Sequence, residues 1–266
     1  MTFDRLKWAA CREFAKRCTV PIVARGLQKW GVHGTGTFFE IDGISFLVTA
    51  AHVLKELLSE DDIPCGVPLG NAGESEILDF SGCQVLQPDQ SLPINTDAAV
   101  VILPNDQVQD LKRQWTFLSV RNVGKVPEGP TDFIVVGFPT ELNSISLDAS
   151  VLEGELLSLL TTTFKGEPEG WTVPPNDDLD LFLEHKDTMV LEDGSICRTP
   201  EIHGMSGASV WAILPEDQGS GLWIPENAMK VVGVQGSVST GSWMRAASWA
   251  VVVYLVKKHV DPTWGT

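Results

Sequence analysis

The 266-residue chain has few cysteines, few bases and no long apolar run, and each shortage excludes something. Its five cysteines, Cys11, Cys18, Cys65, Cys83 and Cys197, are odd in number and form no C-x-x-C pair, which excludes a disulfide framework or a zinc knuckle as the basis of the fold. The longest apolar stretch, Ala246 to Val256, contains Ser248 and falls short of the roughly 20 residues that span a bilayer. The first residues, Met1 to Cys18, mix Asp4, Arg5, Lys7, Arg12, Glu13, Lys16 and Arg17 and lack the apolar core of a signal peptide. Only 19 Lys and Arg stand against 35 Asp and Glu, a formal charge of −16, and the bases are scattered. Such a surface repels phosphate backbones, so neither nucleic acid nor membrane is an expected partner. No internal repeat is visible. A soluble protein of the reducing cytoplasm is the expectation.

What is present is material for a core, since 43% of residues are apolar. Phe3, Leu6, Ala9, Ala10 and Phe14 recur at helical spacing, predicting an amphipathic helix over residues 3–17 that Pro21 stops. From Val20 the texture changes to short β-rich segments: Gly36–Glu40, Ser45–Thr49, Cys83–Leu86, Ala98–Leu103, Phe133–Phe138, Leu181–Glu184, Ser209–Ile213 and Lys230–Gln235. Asp42-Gly43 between the first two is a type I′ hairpin signal. Two further helices are expected, from His52 to Ser59 and from Ser248 to His259. The stretch Gly166–Asp180, rich in Pro, Gly and acid, reads as a surface loop.

Three local patterns carry chemistry. Thr49-Ala50-Ala51-His52 ends an apolar strand and opens a helix, placing a histidine at a strand end. Asn95-Thr96-Asp97-Ala98 sets a carboxylate directly before an apolar strand, where a charge needs a hydrogen-bonding partner such as an imidazole N–H. His203-Gly204-Met205-Ser206-Gly207-Ala208 sets a serine between glycines, whose backbone freedom lets two N–H groups converge on one point. Each alone also fits a structural histidine, a turn aspartate or an ordinary Gly/Ser turn.

In the order His52, Asp97, Ser206, the three resemble the chymotrypsin/trypsin family of serine peptidases. The resemblance runs from Gly34 to Ser237, about three quarters of the chain. Gly34-Thr35-Gly36 and Thr49-Ala50-Ala51-His52 resemble its G-[ST]-G and T-A-A-H motifs, Asp97-Ala98-Ala99-Val100 its aspartate motif, and Gly204-Met205-Ser206-Gly207 its G-[DN]-S-G-G motif. Val231-Val232-Gly233-Val234 resembles the substrate-binding strand, and Val135-Val136-Gly137-Phe138-Pro139 the start of the second barrel in bacterial-type members.

The resemblance implies an all-β fold of two packed six-stranded antiparallel β-barrels with added N- and C-terminal helices. The expected division of this single domain is helix 1–18, first barrel 19–118, second barrel 119–247, and helix and tail 248–266. It also implies a serine endopeptidase with His52, Asp97 and Ser206 catalytic, Gly204 and Ser206 supplying the oxyanion hole, and Gly236, Ser237 and Val238 beside the substrate side chain. The partners would be a protein or peptide substrate and a regulatory protein docking on the terminal helices, with no cofactor and no metal.

Three departures qualify this picture. Met205 replaces the aspartate that meets a cleaved N-terminus in secreted relatives, so Ile22-Val23 is not expected to become a new chain start. Ala208 replaces a second glycine. Val238 replaces another, and with the uncharged Pro200 it predicts a narrow pocket for small or apolar side chains. The competing readings are a catalytically silent scaffold on the same barrels, and an α/β-hydrolase using Ser206, Asp217 and His259, whose Ser-acid-His order the chain end is too short to house. His33, His185, His203 and His259 read as structural or solvated, Cys11 and Cys18 as core, and Glu60-Asp61-Asp62 and Asp177-Asp178 as solvated acids without a calcium-loop pattern.

Overall fold

The computed structural model describes residues 5–25, 30–58, 64–69, 77–88, 96–146, 151–170, 174–176, 178–190, 196–214 and 223–264. The acids Glu60–Asp62, Asp177 and Asp217, and Asn95 of the aspartate motif, lie outside them.

Helix α1 (Arg5–Cys18) leads into a seven-stranded antiparallel sheet of β1 (Thr19–Arg25), β2 (Trp30–Ile41), β3 (Ile44–Thr49), β4 (Cys65–Pro68), β5 (Ile77–Asp79), β6 (Gln84–Leu86) and β7 (Ala99–Ile102), in spatial order β5-β4-β1-β2-β3-β7-β6. Helix α2 (Ala51–Leu58) follows β3, and α3 (Asn105–Gln114) follows β7. The second half holds β8 (Asp132–Gly137), the hairpin β9 (Asn143–Ser146) and β10 (Val151–Gly154), β11 (Leu157–Thr162), β12 (Asp180–Glu184), the hairpin β13 (Thr188–Val190) and β14 (Ile196–Arg198), and β15 (Ser209–Ile213). After α4 (Pro225–Ala228) come β16 (Met229–Ser239), β17 (Trp243–Ser248) and α5 (Trp249–His259). Six of these strands form the second sheet, in order β11-β8-β15-β16-β17-β12. The first sheet thus has seven strands where six were expected, because the short β4 and β5 extend its edge beyond β1.

Every strand anticipated from sequence is found, most within a residue of the expected ends, but β2 begins six residues before Gly36 and β16 runs four residues past Gln235; Asp42-Gly43 turns β2 into β3 with both residues at positive φ. Helix α3 was not anticipated. Among its ten residues only Val108 and Leu111 are buried, a three-residue spacing too sparse to register as an apolar stripe.

Three large apolar clusters organise most of the packing among the described residues. One fills the first sheet's interior around Phe38, Leu47 and Val101, and a second fills the other sheet's interior around Phe133, Val210 and Met244. The third lies between them and joins Phe39 and Phe46 to Ile134, Trp211 and Val231. Both terminal helices belong to it. Cys11, Phe14, Ala15 and Cys18 make the buried stripe of α1, at the spacing of one helix face, and α5 contributes Val251, Val252, Leu255 and Val256. Phe14 meets Trp211 edge-on at 5.8 Å, and Phe39 meets Trp249 at 4.7 Å. Burial pushes the Cys11 thiol up to about 11 and the Cys18 thiol up to about 12, so both are inert core groups. The terminal helices bury their apolar faces as a wedge between the sheets. Among the described residues no helix is long and apolar enough to cross a membrane.

Candidate active site

The site begins with a register. Strands β3 and β7 pair with Thr49 opposite Ala99, so the chain leaving β3 and the chain entering β7 pass side by side. His52, near the start of α2, and Asp97, two residues before Ala99, lie on those adjoining segments. The Asp97 carboxylate straddles the histidine. Its Oδ1 accepts the His52 backbone N–H at 2.9 Å, and its Oδ2 lies 2.5 Å from His52 Nδ1. Two contacts from one carboxylate fix the ring's orientation and assign the Nδ1 proton to this bond, leaving Nε2 as the basic nitrogen. The Asp97 hydrogen bond raises the His52 pKa above the usual imidazole value. Desolvation works against it, and the charges of Asp97 and Glu56 add to the rise.

Ser206 comes from the second sheet's side, in the segment before β15. Two overlapping turns shape that segment, with Met205 N–H donating to Ile202 O at 3.0 Å and Ala208 N–H to Met205 O at 2.8 Å. Gly204 and Gly207 hold φ of 90° and 94°, a region closed to most side chains. A Cβ on Gly207 would also lie 2.1 Å from Thr35 O, so the position is restricted sterically as well as by φ.

Thr35 of β2 clamps this loop from the opposite sheet. Its N–H donates to Ser206 O at 2.8 Å, its hydroxyl donates to Gly204 O at 2.8 Å and accepts Phe138 N–H at 3.0 Å, and its carbonyl accepts the Thr49 hydroxyl at 2.8 Å. A second bond between the sheets joins Ser209 Oγ to Thr37 Oγ1 at 2.8 Å. Thr140 N–H donates to His203 O at 2.6 Å, which turns the His203–Gly204 peptide so that its N–H points away from Thr140. Among the described residues neither that N–H nor the one of Ser206 has a hydrogen-bond acceptor.

The two halves meet at Gly236 of β16. Its carbonyl accepts the Ser206 hydroxyl at 3.3 Å, and a Cβ there would lie 2.7 Å from Asp97 Oδ2. The structure thus joins His52 to Asp97 directly and brings Ser206 to the same glycine, while no hydrogen bond among the described residues links Ser206 to His52. The His52 and Asp97 side chains are 39% and 35% exposed, so the cleft is open to a ligand.

The departures from the expected motifs have local reasons. Met205 is fully buried in the second sheet's apolar cluster and anchors the loop by packing where a charge pair would otherwise do so. Ile22 is fully buried in β1, opposite Gly34, and is not placed to serve as a mobile chain end. Ala208 packs on Gly137, whose own Cβ would come within 3.2 Å of it. Of the three residues expected beside a substrate side chain, Gly236 is buried against Asp97, Ser237 is exposed, and Val238, like Leu142 and Met189, is partly buried against the second sheet's apolar cluster. His33, His203 and His259 are exposed, and His185 is buried. Sequence reasoning passed over Thr35, Thr140 and Gln235. The Gly34-Thr35-Gly36 motif was the available signal for the first. Gln235 is buried behind the loop, exchanging backbone hydrogen bonds with Gly207 and Ala208 at 2.7 and 2.8 Å.

No family model matches the chain, and no curated protein matches its sequence. Solved structures do match its fold. Rv3671c from M. tuberculosis H37Rv, a serine-to-alanine variant in an inactive form, superposes with a TM-score of 0.51 at 13% identity, covering 98% of this chain and 95% of that one. The Rv3671c protease in its inactive form gives 0.50 at 14%, covering 96% and 95%. Deg5 gives 0.51 at 13%, also covering 96% and 95%. At such identities the likeness shows the fold, the trypsin-like double barrel, which two curled antiparallel sheets and two terminal helices complete here.

Proposed function

We propose that the protein is a serine endopeptidase that cleaves peptide bonds through an acyl-enzyme, with Ser206 as nucleophile, His52 as general base and Asp97 as the group that orients it. The observation carrying this reading is the convergence at Gly236: a histidine held by a carboxylate on one side, and on the other a serine hydroxyl flanked by two N–H groups that have no acceptor among the described residues. In the catalytic cycle the hydroxyl turns from Gly236 O to His52 Nε2, gives up its proton and attacks the acyl carbonyl. The N–H groups of Gly204 and Ser206 then stabilise the developing oxyanion, and His52 returns the proton to the leaving amine. Gly236, Ser237 and Val238 would flank the side chain preceding the scissile bond, and the packing of Val238 favours small or apolar residues there.

Activation by cleavage before Ile22 has no place in this scheme, because Ile22 sits inside a sheet and Met205 offers no carboxylate to receive an amine. The cysteines are unpaired, which suits a reducing compartment. Helix α1 packs between the sheets, so restraint of the enzyme falls to a partner rather than to a helix laid across the cleft.

A second reading, a non-catalytic module on the same barrels, draws on one observation: the Ser206 hydroxyl is turned to Gly236 O and not to His52. A fluorophosphonate probe tests between them. Labelling of the wild type that disappears in Ser206→Ala is the expected result, and an unreactive wild type with intact fold would sink the enzymatic reading.

A further inference from the structure

The second barrel is not closed along its whole seam. Strands β11 and β12 meet at one end only, through the bridge of Thr163 with Leu183 and the bond from Phe164 N–H to Phe182 O at 2.9 Å. Beyond it the Thr161 hydroxyl donates to Glu184 O at 2.6 Å, a side-chain bond where a ladder bond would stand. Among the described residues no backbone hydrogen bond joins Leu157–Thr162 to residues 184–189, and β8 is the only strand paired with β11. Alternate residues of β11 therefore turn unpaired N–H and C=O groups into the seam.

That seam is an open slot of about 870 Å³, within the size range of ligand sites. Every residue from Glu155 to Thr162 lines it. A cavity against one face of a strand touches alternate residues, so an unbroken run means that it flanks the strand's free edge. His185 lines the opposite wall. It is 5% exposed, and its Nδ1 accepts Gly241 N–H at 3.1 Å, which puts the ring proton on Nε2, a buried atom that has no partner among the described residues. The wall of the slot therefore holds a fixed, unused donor beside a free strand edge.

We propose that this slot binds an extended peptide segment of another protein as a strand added to β11 along Leu157–Leu160, short of the Thr161–Glu184 contact, with His185 Nε2–H donating to one of its carbonyls. None of His52, Asp97 and Ser206 lines the slot, so the inference stands apart from the serine chemistry. Leu157 and Leu159 are buried toward the barrel interior while Leu160 is 49% exposed, so the incoming segment alternates apolar and polar residues to continue the pleat. Asp132, Glu155 and Glu184 line the slot against Arg12 and Lys186, which disfavours acidic segments. The formal charge of −16 on each copy opposes self-pairing.

The probe is an acetylated, amidated heptapeptide alternating valine with threonine and lysine, titrated into the Ser206→Ala protein with hydrogen exchange as the readout. Protection within 157–160 is expected. N-methylation of one alternate set of peptide amides should weaken binding at least tenfold and methylation of the other set should not, a test that leaves the protein unaltered. His185→Phe should weaken binding in the same way with little change in Tm. Absence of protection in β11 at millimolar peptide, equal weakening by both methylation sets, or concentration-dependent self-association removed by Leu160→Asp would each overturn the proposal.

Discussion

The histidine–carboxylate pair and the Ser206 loop are built in different ways. His52 and Asp97 are brought together within one sheet by the β3–β7 register, 45 residues apart, with both carboxylate oxygens engaged. The Ser206 loop owes its shape to the other sheet: Thr35 Oγ1 and Gly204 O are 169 residues apart in sequence, and Ser209 and Thr37 are 172 apart. The pair depends on folding of the first barrel, whereas the loop depends on docking of the two barrels. Damage to the interface should therefore disable the serine and leave the histidine–carboxylate pair in place.

The largest effect expected is that of Ser206→Ala, which on the proposed chemistry lowers kcat about 10⁶-fold. The His52 Nδ1 proton resonance should stay at its wild-type position, since its partner lies within the first barrel. Asp97→Asn breaks the comparison from the other side, with a loss of about 10⁴-fold in kcat expected. It also moves the acid limb of the kcat/KM profile. Asp97 raises the His52 pKa, the protonated ring is the inactive form, and removal of the carboxylate should shift that limb to lower pH.

Thr35→Val tests the interface directly. It keeps the shape but removes the hydroxyl that bridges Gly204 O and Phe138 N, leaving two buried groups unpaired at a cost of about 1–3 kcal/mol each. A fall of about 10²-fold in kcat, the scale of one oxyanion donor, is expected, with KM little changed and activity restored in Thr35→Ser. Hydrogen exchange should rise at residues 203–208 and not at His52. A loss confined to KM would show that Thr35 supports substrate binding rather than the loop. Gly236→Ala should have the smallest effect, roughly tenfold, since its methyl, placed 2.7 Å from Asp97 Oδ2, would push the exposed end of the Asp97 side chain aside. Its mark is a small downward shift of the same acid limb, measured by a pH titration of kcat/KM.

Legibility along the chain followed the range of the interactions. The β2–β3 hairpin, the central strands of both sheets and helices α1 and α5 were readable because alternation, helical spacing, the Asp42-Gly43 turn and the stop at Pro21 act over a few residues. Helix α3, with two buried residues, was not. The seventh strand of the first sheet also escaped, because β4 and β5 are four and three residues long and take their conformation from pairing with β1 rather than from their own pattern. The burial of both terminal helices between the sheets was equally hidden: an apolar stripe announces that it will be covered, and not by what.

His52, Asp97 and Ser206 were singled out from sequence alone, each through a motif that sets a chemical group at the end of a strand or between glycines. Those motifs record local backbone requirements, which neighbouring residues can satisfy: a strand end, a turn, a positive φ. Tertiary structure alone decided that Thr35 holds the Ser206 loop, that Thr140 turns the Gly204 peptide, that Gly236 lies against Asp97, and that the β11 edge is left unpaired by the described residues. The first and third depend on packing of the two sheets, the second and fourth on how distant segments of the second half meet, and none on neighbours in sequence.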